Sequence, residues 1–252
     1  HADCRNALGQ RMSCSTGLQL QGKGLGVFAG LVLGGLMILG QFADPAPQAA
    51  RGEVEVESDA DVQAGEATRQ LSMLGGLVEV EASSLPHRGP IEAPHVLVFM
   101  FDYACPHCRD AHSYLPKLRE RLGDDLLTVY MPTPLGTGCN EHVERIADFF
   151  ERGCELARLS MAVWLADREQ WPAYDKWLFD FPPKQPPSVE AARAEAERLV
   201  GDDALERALS DERVEQVIQA NIAAYGEAHG GRLPVIMSPG KQPIIGRVYA
   251  VE

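Results

Sequence analysis

The sequence predicts an α/β domain whose strand order is interrupted by an all-helical insertion. Three observations carry this. An apolar run rich in β-branched and aromatic residues, Val96 to Phe101, passes without a turn signal into a segment of helical character down to Leu122, with two cysteines at the join. After a second strand, Leu126 to Met131, the apolar period becomes helical from about 140 to 229. The stretches Gly230 to Met237 and Pro243 to Val248 then read as a hairpin of two short strands across the turn Ser238-Pro239-Gly240-Lys241-Gln242.

The 252 residues carry a formal charge of −13 and no clustered Lys/Arg run, which argues against nucleic acid as a partner. Residues 1–23 form a polar tail. Residues 24–43 contain no charged side chain and are long enough to span a bilayer as one helix. Gly22, Gly26, Gly30 and Gly34 recur every fourth residue, and the stripe through Gly26, Gly30 and Gly34 suits close contact with another membrane helix. A cleaved secretory signal and a buried soluble helix are the other readings of this stretch. Arg5, Arg11 and Lys23 precede it, whereas Asp44, Glu53, Glu55, Glu57, Asp59 and Asp61 follow it. By the positive-inside rule the N-terminus is cytoplasmic and the main domain lies outside, in an oxidising compartment. In a bacterium this means a single pass through the inner membrane with the domain in the periplasm or outside the cell.

Residues 44–75 are read as an acidic flexible linker and 76–252 as the folded domain. Leu77-Val78-Glu79-Val80-Glu81 alternates as a first strand, and the three prolines and one glycine between Ser83 and Pro94 make a loop. At the end of the strand Val96–Phe101, Cys105 falls at a helix start, where free N–H groups and the macrodipole favour a thiolate. Cys108 is one turn on, on the same face, within disulfide reach. Pro106 suits a first turn, and His107 sets an imidazole beside the thiol. The same spacing also serves zinc sites, so a metal-binding or scaffold module stands as the reading from another class.

In the helical stretch, Val143, Ile146, Ala147, Phe150, Cys154, Leu156 and the residues through Leu165 recur at helical spacing. Trp171-Pro172 opens a short helix broken by Pro182, Pro183, Pro186 and Pro187. Ser188 caps the next helix to Val200, and Ser210 or Asp211 caps the last, to about Ala228. The six cysteines read as three pairs: Cys4 with Cys14, Cys105 with Cys108, and Cys139 with Cys154. The third pair is a structural disulfide, or else Cys154 is a free buried thiol. The first is an accessory redox pair or two ordinary tail thiols.

Asp102-Tyr103-Ala104-Cys105-Pro106-His107-Cys108, with the helix after it and the strand Leu126–Met131, resembles the DsbA-type thiol:disulfide oxidoreductases of the thioredoxin superfamily. The resemblance implies a thioredoxin-like fold with a helical insertion that forms a lid beside the dithiol. In that lid Trp164, Trp171, Trp177 and Phe179 line a peptide groove or are helix-packing core. It also implies that Pro234 is the cis-proline facing the thiols and that Leu233 before it pairs with substrate backbone. Two departures are expected: the buried carboxylate often found in the strand is absent, leaving Asp102 as the nearest candidate, and with Glu252 as the last residue the closing helix is missing or very short. The stretch Cys4–Ser15 with Gly24-Leu25-Gly26-Val27 is similar to loop and helix segments of the vitamin K epoxide reductase family.

The function implied is introduction of disulfides into extracytoplasmic proteins. Cys105 is the attacked sulfur, Cys108 is its partner, and Pro106 and His107 tune them. No cofactor beyond this redox-active disulfide and no metal is expected. The partners are thiol-bearing proteins and a quinone-linked membrane thiol oxidase, DsbB-like or vitamin K epoxide reductase-like. A reductase or isomerase kept reduced by a membrane donor would use the same residues.

Overall fold

In the computed structural model, which describes residues 68–228 and 231–247, the first described element is a hairpin. Strand β1 (Gln70–Met73) pairs antiparallel with β2 (Val78–Glu81) in a sheet of its own. Alternation buries Leu71, Met73, Val78 and Val80 and turns Ser72 and Glu79 to solvent. Arg69 ties the hairpin down by donating to the carbonyls of Ile91 and Ala93, both at 2.8 Å. The linker expected over 44–75 therefore ends before Gln70, and the folded part begins earlier than 76. The expected tail, the span at 24–43, the glycine stripe, and Cys4 with Cys14 lie outside the described residues. Among the described residues no helix is long and apolar enough to cross a membrane.

The main sheet has five strands: β3 (His87–Arg88), β4 (His95–Phe101), β5 (Leu126–Pro132), β6 (Val235–Met237) and β7 (Ile244–Ile245), in the order β3-β5-β4-β6-β7. Only β4 and β5 run parallel, in register Val98 with Val129. Every residue of β5 is buried, which is why it reads as a continuous apolar run. Between β4 and β5 lie α1 (Pro106–His112) and α2 (Leu115–Leu122). The single helix expected down to Leu122 is thus two. Pro116 has no N–H to return to His112, so the first helix closes at Ser113, and Pro116 stands in the first turn of the second.

Five helices separate β5 from β6: α3 (Gly153–Ala166), α4 (Trp171–Phe179), α5 (Val189–Val200), α6 (Asp202–Leu209) and α7 (Glu212–Glu227). The other four pack around α3, which buries Leu156, Leu159, Met161, Val163 and Trp164. Ser188 caps α5 by accepting from the Ala191 N–H, and Asp211 caps α7 by accepting from that of Arg213. Helix α6 is not expected from the sequence; Gly201, at φ +82°, ends α5 and lets the chain start again.

The helical spacing from Val143 to Phe150 does not produce a helix. That stretch is irregular apart from one 3-10 turn at Asp148–Phe150. Cys139 and Cys154 are joined in a disulfide with Cα atoms 6.1 Å apart across a sequence separation of 15. A straight helix of that length would put its ends about 22 Å apart, so the closed loop excludes it.

Candidate redox site

The site is built where β4 hands over to α1. After Phe101 the chain turns through Asp102, Tyr103 and Ala104, and the Cys105 N–H donates to the Asp102 carbonyl at 3.0 Å. This makes Cys105 the N-cap of α1. Its Sγ accepts from the Cys108 N–H at 3.4 Å and lies 3.7 Å from the Leu233 carbonyl oxygen, across the sheet on the segment leading into β6. The Leu233–Pro234 bond is cis. Cys105 and Cys108 are free thiols; Cys105 is 5 % exposed and Cys108 is fully buried. Pro106 is half-buried in the first turn, and His107 is exposed.

Asp102 is 1 % exposed and stands one residue beyond the end of β4. Its two oxygens accept the N–H groups of Ala104 and Leu135, each at 2.6 Å. Helix α3 begins against it. A Cβ on Gly153 would lie 2.6 Å from one carboxylate oxygen and 3.0 Å from the other, so glycine is the residue that lets the helix start so close. Burial pushes the carboxyl up to about 7, and the two backbone donors pull against that shift. Cys108 shares the pocket. Burial holds its thiol well above the usual range, and the neighbouring Cys105 raises it further. A buried acid able to titrate near neutrality thus sits beside a buried thiol that resists ionisation.

Behind the thiols a polar network fastens α1 to the helical insertion. His112 Nε2 lies 2.7 Å from one oxygen of Asp175, and the other oxygen accepts from the Tyr103 hydroxyl at 3.0 Å. Tyr103 also meets the Ser160 hydroxyl at 2.7 Å, which accepts from Trp171 Nε1 at 3.0 Å. Sequence reasoning missed this set, because the links from Tyr103 and His112 to the helical insertion span 57 to 72 residues and follow no motif. Phe179 stacks on the His112 ring at 4.2 Å between centroids. Of the four aromatics expected beside the thiols, Trp164 and Trp171 are core, packed edge to face on each other, and Trp177 lies against Tyr174 and Phe181. Phe179 alone borders the crevice next to Cys105. The larger space beside Cys105 is instead a groove of about 470 Å³ floored by Leu135, Ile146, Phe149, Phe150 and Leu233. Three of those residues come from the loop closed by the Cys139–Cys154 disulfide. Among the described residues, no three His, Cys, Asp or Glu side chains converge as metal ligands.

Comparison with known proteins gives a consistent picture of the fold. The sequence model of the thioredoxin family matches residues 82–242. Similar solved structures include the thiol-disulfide exchange protein alpha-DsbA2 from Wolbachia pipientis, with a TM-score of 0.53 at 17% identity, covering 66% of this chain and 81% of that one. A periplasmic thioredoxin-like protein from Salmonella enterica serovar Typhimurium gives 0.51 at 19%, covering 66% and 83%. Oxidised BdbD from Bacillus subtilis gives 0.51 at 16%, covering 70% and 89%. Among curated proteins, Na(+)/H(+) antiporter NhaA 1 from Mycobacterium sp. strains KMS, JLS and MCS is 37% identical over 78 residues, which are 27% of this chain and 13% of that protein. The match thus spans only a small part of those curated relatives' length.

Proposed function

The chain belongs to the thioredoxin family, and from that premise we propose that it is a membrane-anchored protein disulfide oxidoreductase that introduces disulfides into extracytoplasmic proteins through Cys105 and Cys108. The observation that carries the reading is the position of Cys105 Sγ, on the N-cap of α1, between the Cys108 N–H and the Leu233 carbonyl. A sulfur so placed lies at the helix start, where an extended peptide can reach it.

In the oxidised protein, a substrate thiolate attacks Cys105 Sγ. The Cys105–Cys108 bond breaks, its electron pair goes to Cys108, and a mixed disulfide forms. Cys108 takes up a proton, for which the neutral carboxyl of Asp102, a residue whose charge its thiol feels, is a source. A second substrate thiolate then attacks the substrate sulfur of the mixed disulfide and expels Cys105 as a thiolate. Two substrate thiols have become a disulfide, and the protein holds two thiols. Reoxidation runs in reverse: Asp102 takes the Cys108 proton, and a membrane thiol oxidase accepts the two electrons. Leu233 and Pro234 guide the peptide, and His107 with Pro106 tunes the thiol. Two of the similar structures are a thiol-disulfide exchange protein and a periplasmic thioredoxin-like protein, which supports the chemistry and the compartment. The apolar, charge-free stretch 24–43 supports the anchor.

Equilibration of the Cys105–Cys108 pair with glutathione buffers tests this, since about 30 mV is a tenfold change in a two-electron equilibrium. A potential well above the glutathione poise is expected. A potential near that of thioredoxin would reverse the electron flow and make the protein a reductase. No measurable dithiol couple would end the oxidoreductase reading.

A further inference from the structure

The groove beside Cys105 carries the opposite charge to the rest of the chain. The protein has 36 acidic residues against 23 lysines and arginines. Yet among the described residues the groove lining contains Lys184, Arg232, Arg247 and His107 and no carboxylate. Of the two acids flanking its aromatic floor, Glu151 is held by the Thr137 N–H at 3.0 Å and hydroxyl at 2.9 Å, and Asp148 lines a neighbouring cavity with Arg152, a cavity that Phe149 and Lys184 also border.

Two of the cations are held in place without being neutralised. Lys184 stands at φ +63°, a left-handed conformation disfavoured for any residue with a side chain. Pro182 and Pro183 precede it, Pro186 and Pro187 follow it, and the turn is closed by the Gln185 N–H donating to the Pro182 carbonyl at 3.1 Å. Arg232 lies beside Leu233 in the chain, and its stem packs on Gly246, with Cδ 3.7 Å from where a Cβ would stand. Among the described residues neither Lys184 nor Arg232 forms an ion pair. Between these cations lies an apolar floor that includes Phe149 and Phe150, whose ring centroids are 4.4 Å apart.

We propose that this groove selects cysteine-bearing segments carrying an aromatic or aliphatic residue next to the reacting cysteine and acidic residues beside it, with Lys184 and Arg232 as the residues that discriminate by charge. The inference rests on the thiol-exchange reading above and adds the substrate class to it. Acidic flanks are drawn to the cationic rim, which raises the encounter rate, while the apolar neighbour enters the groove. Basic flanks meet like charge at the same rim.

The test uses the full chain in its oxidised form and three peptides, each with one cysteine next to a phenylalanine and with acidic, neutral or basic flanks. The rate at which each reduces the Cys105–Cys108 pair is divided by its rate with neutral hydroxyethyl disulfide. That division removes the effect of flanking charge on the peptide's own thiol. At low salt the acidic peptide should react about tenfold faster than the basic one, a gap that about 0.5 M salt largely closes. In Lys184→Glu with Arg232→Glu the ratio of acidic to basic rates should fall to one or below, whereas a change in folding or in the thiols would scale both rates together. Equal rates for all three peptides at low salt, while dithiothreitol still reduces the pair, would overturn the charge selectivity alone. If no thiol reduces the pair, the reading beneath it fails as well.

Discussion

Replacing Asp102 by asparagine should change how stability depends on pH rather than simply lower it. Above its unfolded value of 3.8, an aspartate whose folded carboxyl titrates at about 7 keeps a proton in the native state that the unfolded state has lost. Stability therefore falls as pH rises from about 4 to about 7, by at most about 4 kcal/mol, and then levels off. Asparagine cannot ionise, so this loss disappears. It does carry a fixed cost, because its single oxygen cannot serve both the Ala104 and the Leu135 N–H groups, and one buried donor goes unmet for about 1–3 kcal/mol at every pH. Asp102→Asn should then be the less stable protein at pH 4 and should equal or overtake the wild type by pH 8. Urea unfolding of both proteins across that range, with Cys105 and Cys108 oxidised so that Cys108 does not titrate, reads the difference directly. For a slope of about 2 kcal/mol per M, the gap between midpoints should move by up to about 2 M in the variant's favour. Parallel curves would mean that the carboxyl is already ionised at acid pH and cannot exchange a proton with Cys108 near neutrality.

Three more outcomes follow from the same geometry. Cys108→Ser should accumulate mixed disulfides at Cys105, visible on non-reducing gels, because the partner sulfur that releases a stalled substrate is gone; Cys105→Ser should form none. Gly153→Ala should cost about 2 kcal/mol in urea unfolding, since the new Cβ lands 2.6 Å from an Asp102 oxygen that backbone donors hold still; a neutral result would mean that α3 can back away from the carboxylate. The Cys139→Ser, Cys154→Ser double variant should lose about 3 kcal/mol of unfolding free energy for a loop of that length. An unchanged midpoint would show that packing alone holds the loop.

What the sequence disclosed is mostly what depends on neighbours in the chain. The strand running into Cys105, the Ser188 and Asp211 caps and the final hairpin each follow from a few adjacent residues, and the structure has them in place. The break at Ser113 was also open to reading, since Pro116 cannot continue a helix begun before it. The irregular stretch after Cys139 was not. Its apolar spacing is helical, and only the closure imposed by the disulfide overrides it. Trp164 and Trp171 illustrate the other limit, because a period says that a face is apolar and not whether a helix or a substrate covers it. Asp102 could be picked out as the nearest carboxylate, but its burial under Gly153 depends on a residue 51 positions away. The cationic rim joins Lys184 to Arg232 and appears in no local pattern.

The separation of 128 residues between Cys105 and Leu233 also bears on how the protein is made. During synthesis the two thiols emerge long before the segment that covers them, and β6 can pair with β4 only after all seven intervening helices have left the ribosome. Contacts this distant in sequence form late in folding. Until then the nascent chain presents Cys105 and Cys108 together with Cys139 and Cys154, and cross-links other than the native one can form among the four. The insertion that shapes the finished groove thus also sets the length of time for which the unfinished chain is open to mispairing.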